Sequence, residues 1–228
     1  MLLLFLGLAT VLSAQDINQL DEKGERHGLW KKNFEKTDQP KYEGKFDHGQ
    51  EIGTFKFYKL VEGKSKLSAT REFLPDSDNI NVKFFSSKGK LISEGMMKDK
   101  IYIGKWVYYQ NKSKGILMTE NYNDKGILEG EKLVYYENGK VAEKAIYVNG
   151  NIDGTSLWYS EKGIVLKEFT YKDGELHGIA KYYDSDGKML AEGSYRNDKK
   201  YGTWNYYENG ELKEEKDYTI YSKNPKKQ

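Results

Sequence analysis

The sequence predicts an all-β fold, an elongated single-layer antiparallel β-meander of repeated ~24-residue β-hairpins, from three observations. Large residues and glycines recur at a near-constant step. Tyr122, Tyr147, Tyr171 and Tyr195 lie 25, 24 and 24 residues apart, and Gly104, Gly130, Gly154, Gly178 and Gly202 keep nearly the same spacing. Dipeptides that tolerate positive φ recur between the apolar runs, at Asn138-Gly139, Asp186-Gly187 and Asn209-Gly210 inside units and at Asn149-Gly150 and Asp173-Gly174 between them. Tyrosine (19) outnumbers phenylalanine (9) and tryptophan (4) together, in a chain of 228 residues that is 37% hydrophobic. That composition suits a thin sheet wetted on at least one side better than a thick aliphatic core.

Taken in order, the chain begins with an apolar run, Leu2 to Leu12, followed by Leu12-Ser13-Ala14-Gln15. Residues 1–14 are expected to be a signal peptide, since the run is too short to span a bilayer and a small residue precedes the cleavage point. No Lys or Arg precedes Leu2, so the terminal amine supplies the positive charge. Export to the periplasm, cell envelope or extracellular space follows as an expectation. Residues 15–218 are predicted to form the array, about seven or eight units long. Gly28 and Gly53 extend the glycine series upstream, and the 51 residues from Gly53 to Gly104 equal two units. A degenerate unit is therefore expected around residues 60–95, with Phe84-Phe85 where other units carry an aromatic pair. Glu35 to Lys41 and Leu60 to Asn79, the latter ending in Leu74-Pro75-Asp76-Ser77-Asp78, break the period and are predicted to be protruding loops. Residues 219–228, with the basic run Lys223 to Lys227, are expected to be a solvated tail.

Inside a unit the first strand carries an aromatic pair: Tyr108-Tyr109, Tyr135-Tyr136, Trp158-Tyr159, Tyr182-Tyr183 or Tyr206-Tyr207. Two tight turns per period leave no room for crossover helices, so consecutive strands should pair antiparallel. Strand alternation puts Gly202, Trp204 and Tyr206 on one face and Thr203, Asn205 and Tyr207 on the other. The first face is expected to be the thin core, with the glycine two positions before the ring making space for an aromatic neighbour. The outward members Tyr109, Tyr136, Tyr159, Tyr183 and Tyr207 are either a contact face or the second packed face of a lone sheet. At ~4.8 Å per strand the ribbon should be roughly 70 to 75 Å long, with stability cooperative over several units.

The segment Tyr42-Glu43-Gly44-Lys45-Phe46-Asp47-His48-Gly49-Gln50-Glu51-Ile52-Gly53 resembles the MORN repeat, with Phe46 where that motif usually has Trp. Gly95 to Gly104 and Gly193 to Gly202 keep the same nine-residue glycine spacing. Later units, such as Asn149-Gly150-Asn151-Ile152-Asp153-Gly154 leading to Trp158-Tyr159 and Gly163, are similar to the bacterial MORN variant repeat, which also builds the YwqK-family antitoxins. The resemblance covers about residues 20 to 218 and implies a single-layer hairpin array used as a scaffold for proteins or membranes; it does not imply a reaction.

Lys plus Arg (37) nearly cancels Asp plus Glu (35), so nucleic acid is not the expected partner. The absence of cysteine excludes disulfides and thiol catalysis. His27 and His177 precede repeat glycines in a slot otherwise filled by Ile52, Ile103, Asp153 and Tyr201, a variability that suggests surface; His48 has no evident partner in its turn. Gly63-Lys64-Ser65 lacks the earlier glycine of a phosphate-binding loop. Asp76-Ser77-Asp78-Asn79 opens like a calcium loop but lacks its glycine and distal Glu. Turn carboxylates such as Glu137, Glu161, Asp184 and Glu208 belong to the repeat. The expectation is an exported, non-enzymatic scaffold with no cofactor and no metal. Its partner would be another protein or, alternatively, a membrane surface with its lipid headgroups; neutralising a toxin in the manner of an antitoxin is a further alternative.

Overall fold

A computed structural model describes residues 16–219, so the leader and the basic end of the tail lie outside the described residues. The strands are β1 (Gln19–Leu20), β2 (Arg26–Asn33), β3 (Pro40–Asp47), β4 (Gln50–Val61), β5 (Lys64–Phe73), β6 (Ile80–Phe85), β7 (Leu91–Lys98), β8 (Ile101–Tyr109) and β9 (Ile116–Tyr122). They continue as β10 (Gly130–Tyr135), β11 (Val141–Val148), β12 (Asn151–Ile152), β13 (Gly154–Tyr159), β14 (Val165–Lys172), β15 (Glu175–Tyr183), β16 (Met189–Arg196), β17 (Lys199–Glu208) and β18 (Glu211–Asp217). Each strand pairs antiparallel with its chain neighbours, and β12 and β13 act as one strand interrupted at Asp153, both facing β11. From β2 onward this gives eight consecutive hairpins in one open sheet, the meander expected from the two-turn period.

In several units the two turns differ, although Asn209-Gly210 inside the last unit (55° and 85°) closes the two-residue turn its dipeptide implies. Among those joining units are two-residue turns with both central residues at positive φ: His48-Gly49 (44° and 82°), Asn149-Gly150 (50° and 85°) and Asp173-Gly174 (51° and 91°). This mirror-image turn matches the twist of the flanking strands. Inside units, Asn138-Gly139 and Asp186-Gly187 do not close two-residue hairpins, because only the glycine is left-handed. There the loop is wider, with Gly139 N–H donating to the Tyr136 carbonyl and Tyr136 N–H to that of Lys140. The extra residue is absorbed by a register shift beside each aromatic pair, as between Trp158 and Tyr159 or Tyr182 and Tyr183.

Leu60 to Asn79 is for the most part strand, not loop. β5 pairs along its whole length with Gly53 to Val61 of β4 through a tight Glu62-Gly63 turn, and only Leu74 to Asn79 is irregular. Glu62 at φ 49° takes the role usually given to Asn or Asp, so the hairpin is unmarked at the level of dipeptides. Its Lys and Ser residues lie on long strands of 12 and 10 residues whose ends are solvated. Glu35 to Lys41 does widen the β2–β3 hairpin, whose ladder closes at Asn33 opposite Pro40.

The core is a single column of neighbours on one face. It runs Trp30, Gly44, Phe55, Arg71, Val82, Gly95, Trp106, Glu120, Lys132, Ala145, Ser156, Phe169, Ala180, Gly193, Trp204 and Lys216. Phe55, Val82, Trp106, Ala145, Ser156, Ala180 and Trp204 are all at most 1% exposed. Each ring in the column has a small residue on at least one side. A Cβ on Gly95 would stand 2.4 Å from the Trp106 ring, and one on Gly193 would stand 2.3 Å from that of Trp204. The space therefore comes from the glycine on the preceding strand. Gly104 and Gly202, two positions before each ring, instead have φ of 61° and 66° and nothing within 4 Å of a built Cβ. Flanking aromatics cover the column: Tyr102 stacks on Trp106 at 3.6 Å, and Tyr195 meets Trp204 edge-on at 5.2 Å. Both indole N–H groups donate to the carbonyl just after the glycine, Met96 and Ser194, at 3.0 Å.

Candidate functional site

The face opposite the column carries charged pairs among exposed aliphatic residues such as Leu29 and Ile179. Lysines and glutamates meet across it at Lys56–Glu43 (3.3 Å), Lys83–Glu94 (3.2 Å), Lys144–Glu131 (2.5 Å) and Lys181–Glu168 (3.5 Å). Four of the five outward tyrosines, Tyr109, Tyr159, Tyr183 and Tyr207, occupy one repeated position on this face, just after the register shift. Tyr136 does not. In its unit the shift falls between Val134 and Tyr135, so Tyr135 is the equivalent residue and Tyr136 opens the turn. Its hydroxyl donates to the Tyr159 carbonyl at 2.5 Å. Val134 there takes the inward position that an aromatic holds in other units, which slides the aromatic pair by one.

A hydroxyl-to-carboxylate bond recurs at a fixed offset of 15 residues. Tyr58 donates to Glu43 at 2.6 Å, Tyr109 to Glu94, and Tyr207 to Glu192 at 2.7 Å. Sequence reasoning overlooked Tyr58 and all three glutamates, although the offset itself was available as a signal. The hydroxyl donors hold the Glu43 and Glu94 carboxyls below the usual range, aided by Lys56 and Lys83. Tyr58 is pushed up to about 12 by burial and then by Glu43, and Tyr109 to about 12 by its bond to Glu94 and then by burial. On the core face burial also raises Tyr122 to about 12, with Tyr108 and Tyr182 raised further.

A phenol whose folded pKa is raised contributes stability that is intact below its unfolded value, about 10, and is lost as pH rises through the folded value. Between those values the unfolded chain binds fewer protons, so stability must fall. An alkaline titration followed by tyrosinate absorbance and circular dichroism should show a late group of phenols that ionises together with loss of sheet signal near pH 12. Ionisation of every tyrosine near pH 10 in a chain still folded would refute the hydroxyl network.

A second cluster lies on the edge that carries the joining turns. Consecutive turns stack there, with Gly49 N–H donating to the Arg26 carbonyl, Gly150 to Leu128 and Gly174 to Ile152, each at 2.9 Å. The position before the repeat glycine helps to hold this stack. Glu129 accepts from Asn149 N–H at 2.9 Å and Asp153 from Asp173 N–H at 3.0 Å, so the position is a latch between units as well as a surface. His27 occupies it in the first unit, and its Nδ1 meets His48 N–H at 3.5 Å. The two imidazoles come within 4.8 Å, with Asp47 and Asp21 beside them. His48 thus has partners that its sequence neighbourhood did not reveal, and its pKa is raised, first by the hydrogen bond to Asp21. The groups nearest to metal-ligating geometry among the described residues are His27–Asp47–His48 and Asp21–Glu25–His48. In the Asp76-Ser77-Asp78-Asn79 loop, Asp78 instead faces Lys98 at 3.9 Å.

Comparison with known proteins matches the last four hairpins one by one. The MORN repeat variant is found at residues 128–149, 152–173, 176–197 and 200–219. Each match runs from one joining turn to the next and contains one hairpin, from β10–β11 to β17–β18. No curated protein matches the chain. MORN repeats are non-catalytic modules that contact proteins or membranes. The four consecutive hairpins of residues 128–219 are thus MORN repeat variants.

Proposed function

We propose that the chain is an exported, non-enzymatic scaffold that holds another protein, or the surface of the cell envelope, along the tyrosine, glutamate and lysine face of its sheet. One observation carries this reading. The core column occupies one face, while the other repeats half-buried tyrosines whose hydroxyls are tied to glutamates flanked by lysines. Rings already fixed by such bonds lose little entropy on contact, and tyrosine supplies both apolar area and a polar edge. Export rests on the apolar run Leu2 to Leu12.

A photo-crosslinking amino acid placed at Tyr159 or Tyr183 tests the face, with the same group at Tyr195 on the core side as the control. Incubated with envelope and culture fluid of the source cell, the first two positions should trap the same saturable species and the third should not. Co-sedimentation with neutral and anionic vesicles separates a protein partner from a lipid surface. Equal trapping from all three positions, or none from any with no vesicle binding, would overturn the assignment.

A further inference from the structure

We propose that His27, His48 and Asp47 form a binding site for one divalent transition-metal ion of the zinc class, on the turn edge of the first two hairpins. The Asp47 carboxylate is central, with Oδ1 3.4 Å from His27 Nδ1 and 3.9 Å from His48 Nε2. Ligand atoms bound tetrahedrally at zinc distances stand about 3.4 Å apart. One of the three pairs therefore already has the required spacing, a second needs to close by about half an ångström, and the two histidine nitrogens, within 4.8 Å of each other, need to draw together as well.

The remaining nitrogen of His48 supports the assignment independently. Its Nδ1 lies 2.6 Å from Asp21 Oδ2, and the Asp21 side chain is 10% exposed. Asp21 Oδ1 accepts the N–H groups of Lys23 and Glu25, each at 2.9 Å, which fixes the carboxylate. With Asp21 receiving the Nδ1 proton, Nε2 keeps its lone pair for an ion, 3.9 Å from Asp47 Oδ1. This carboxylate–histidine arrangement orients the imidazole and raises its basicity as a ligand. Besides Asp47, His27 Nδ1 has only the long 3.5 Å contact to His48 N–H, so its lone pair is readily given to an ion. Two imidazoles and a carboxylate select zinc, copper or nickel over calcium or magnesium, which require more oxygen ligands. Three protein ligands on an exposed edge leave a fourth position for water or for a group on another molecule.

The test is a titration of the chain with zinc chloride in mildly alkaline buffer, followed by imidazole nitrogen and proton resonances and by calorimetry. His27 and His48 should shift together and saturate at one ion per chain, while His177, on a distant unit, serves as an internal control and stays fixed. His48→Asn removes the imidazole yet tolerates the φ of 44° at that turn, and should weaken binding at least about tenfold. Asp21→Asn, which leaves all three ligands in place, should weaken it about 10- to 100-fold. The proposal is overturned if no histidine responds to zinc, if all three respond alike, or if calcium chloride binds as well as zinc. An affinity unchanged in Asp21→Asn would overturn the orienting role of that carboxylate.

Discussion

Alanine at Gly193 is expected to unfold the last hairpins of the sheet, whereas alanine at Gly202 should cost only about 1–2 kcal/mol. The two glycines sit beside the same ring but do different things. At Gly193 a new Cβ would lie 2.3 Å from Trp204 Cδ2, and the indole has nowhere to go. It is fully buried, flanked by Tyr182, Tyr195, Tyr206 and Tyr218, and held by its N–H bond to the Ser194 carbonyl. Relief requires expelling the ring, so the loss should approach that of deleting a buried tryptophan, about 3–5 kcal/mol. At Gly202 the space is open and only the φ of 66° opposes a side chain, the usual left-handed penalty of about 1–2 kcal/mol. Urea denaturation followed by tryptophan fluorescence and circular dichroism measures both. A double-mutant cycle adds a sharper criterion: with Trp204→Ala already present, Gly193→Ala should be nearly neutral, because the atom it strikes is gone. Similar losses at the two glycines, or full additivity in the cycle, would show that the ring does not rest on Gly193.

That contrast also shows what could be read along the chain and what could not. Glycine spacing, aromatic pairs and Asn-Gly or Asp-Gly turns are local, and they led correctly to an antiparallel meander. Which glycine lies under which ring is a matter of register between strands. A shift between Glu192 and Ser194 sets it, and such bulges leave no mark in spacing. The same cause misplaced Tyr136, which stands one residue away from the position its aromatic pair implied. His27 and His48 came together for a different reason. They are 21 residues apart, slightly less than one unit, and turns one unit apart stack on the same edge. The period implies this juxtaposition, but it appears only when turns are compared with turns.

Lys132→Met is expected to destabilise the sheet by about 3 kcal/mol, although methionine fits the apolar column better than lysine. Between Trp106 and Ala145 the column is occupied by Glu120 and Lys132, whose charged groups meet at 3.3 Å with side chains 10% and 24% exposed. Glu120 also accepts the Tyr122 hydroxyl at 2.8 Å, and Lys132 stands 5.8 Å from the Tyr147 ring. Removing the lysine leaves a carboxylate that has lost its counter-ion at a site with little water. Removing both charges has the opposite sign. Glu120→Leu with Lys132→Met substitutes dispersion for an ion pair whose desolvation nearly cancels its attraction, and should be neutral or stabilising by about 1–4 kcal/mol. In a repeat array each hairpin is stabilised by its neighbours, so a polar interruption also weakens the coupling between the parts it separates. The unmodified chain should therefore unfold in a broad urea transition, with Trp106 and Trp204 losing their environments at different midpoints. The doubly substituted chain should unfold in a sharper one as the two midpoints converge. If Lys132→Met alone stabilises the sheet, Glu120 is better solvated than its burial implies and the interruption is only a change of side chain. If the double substitution costs as much as the single one, the ion pair positions the β9–β10 junction and the column is not what joins the two halves.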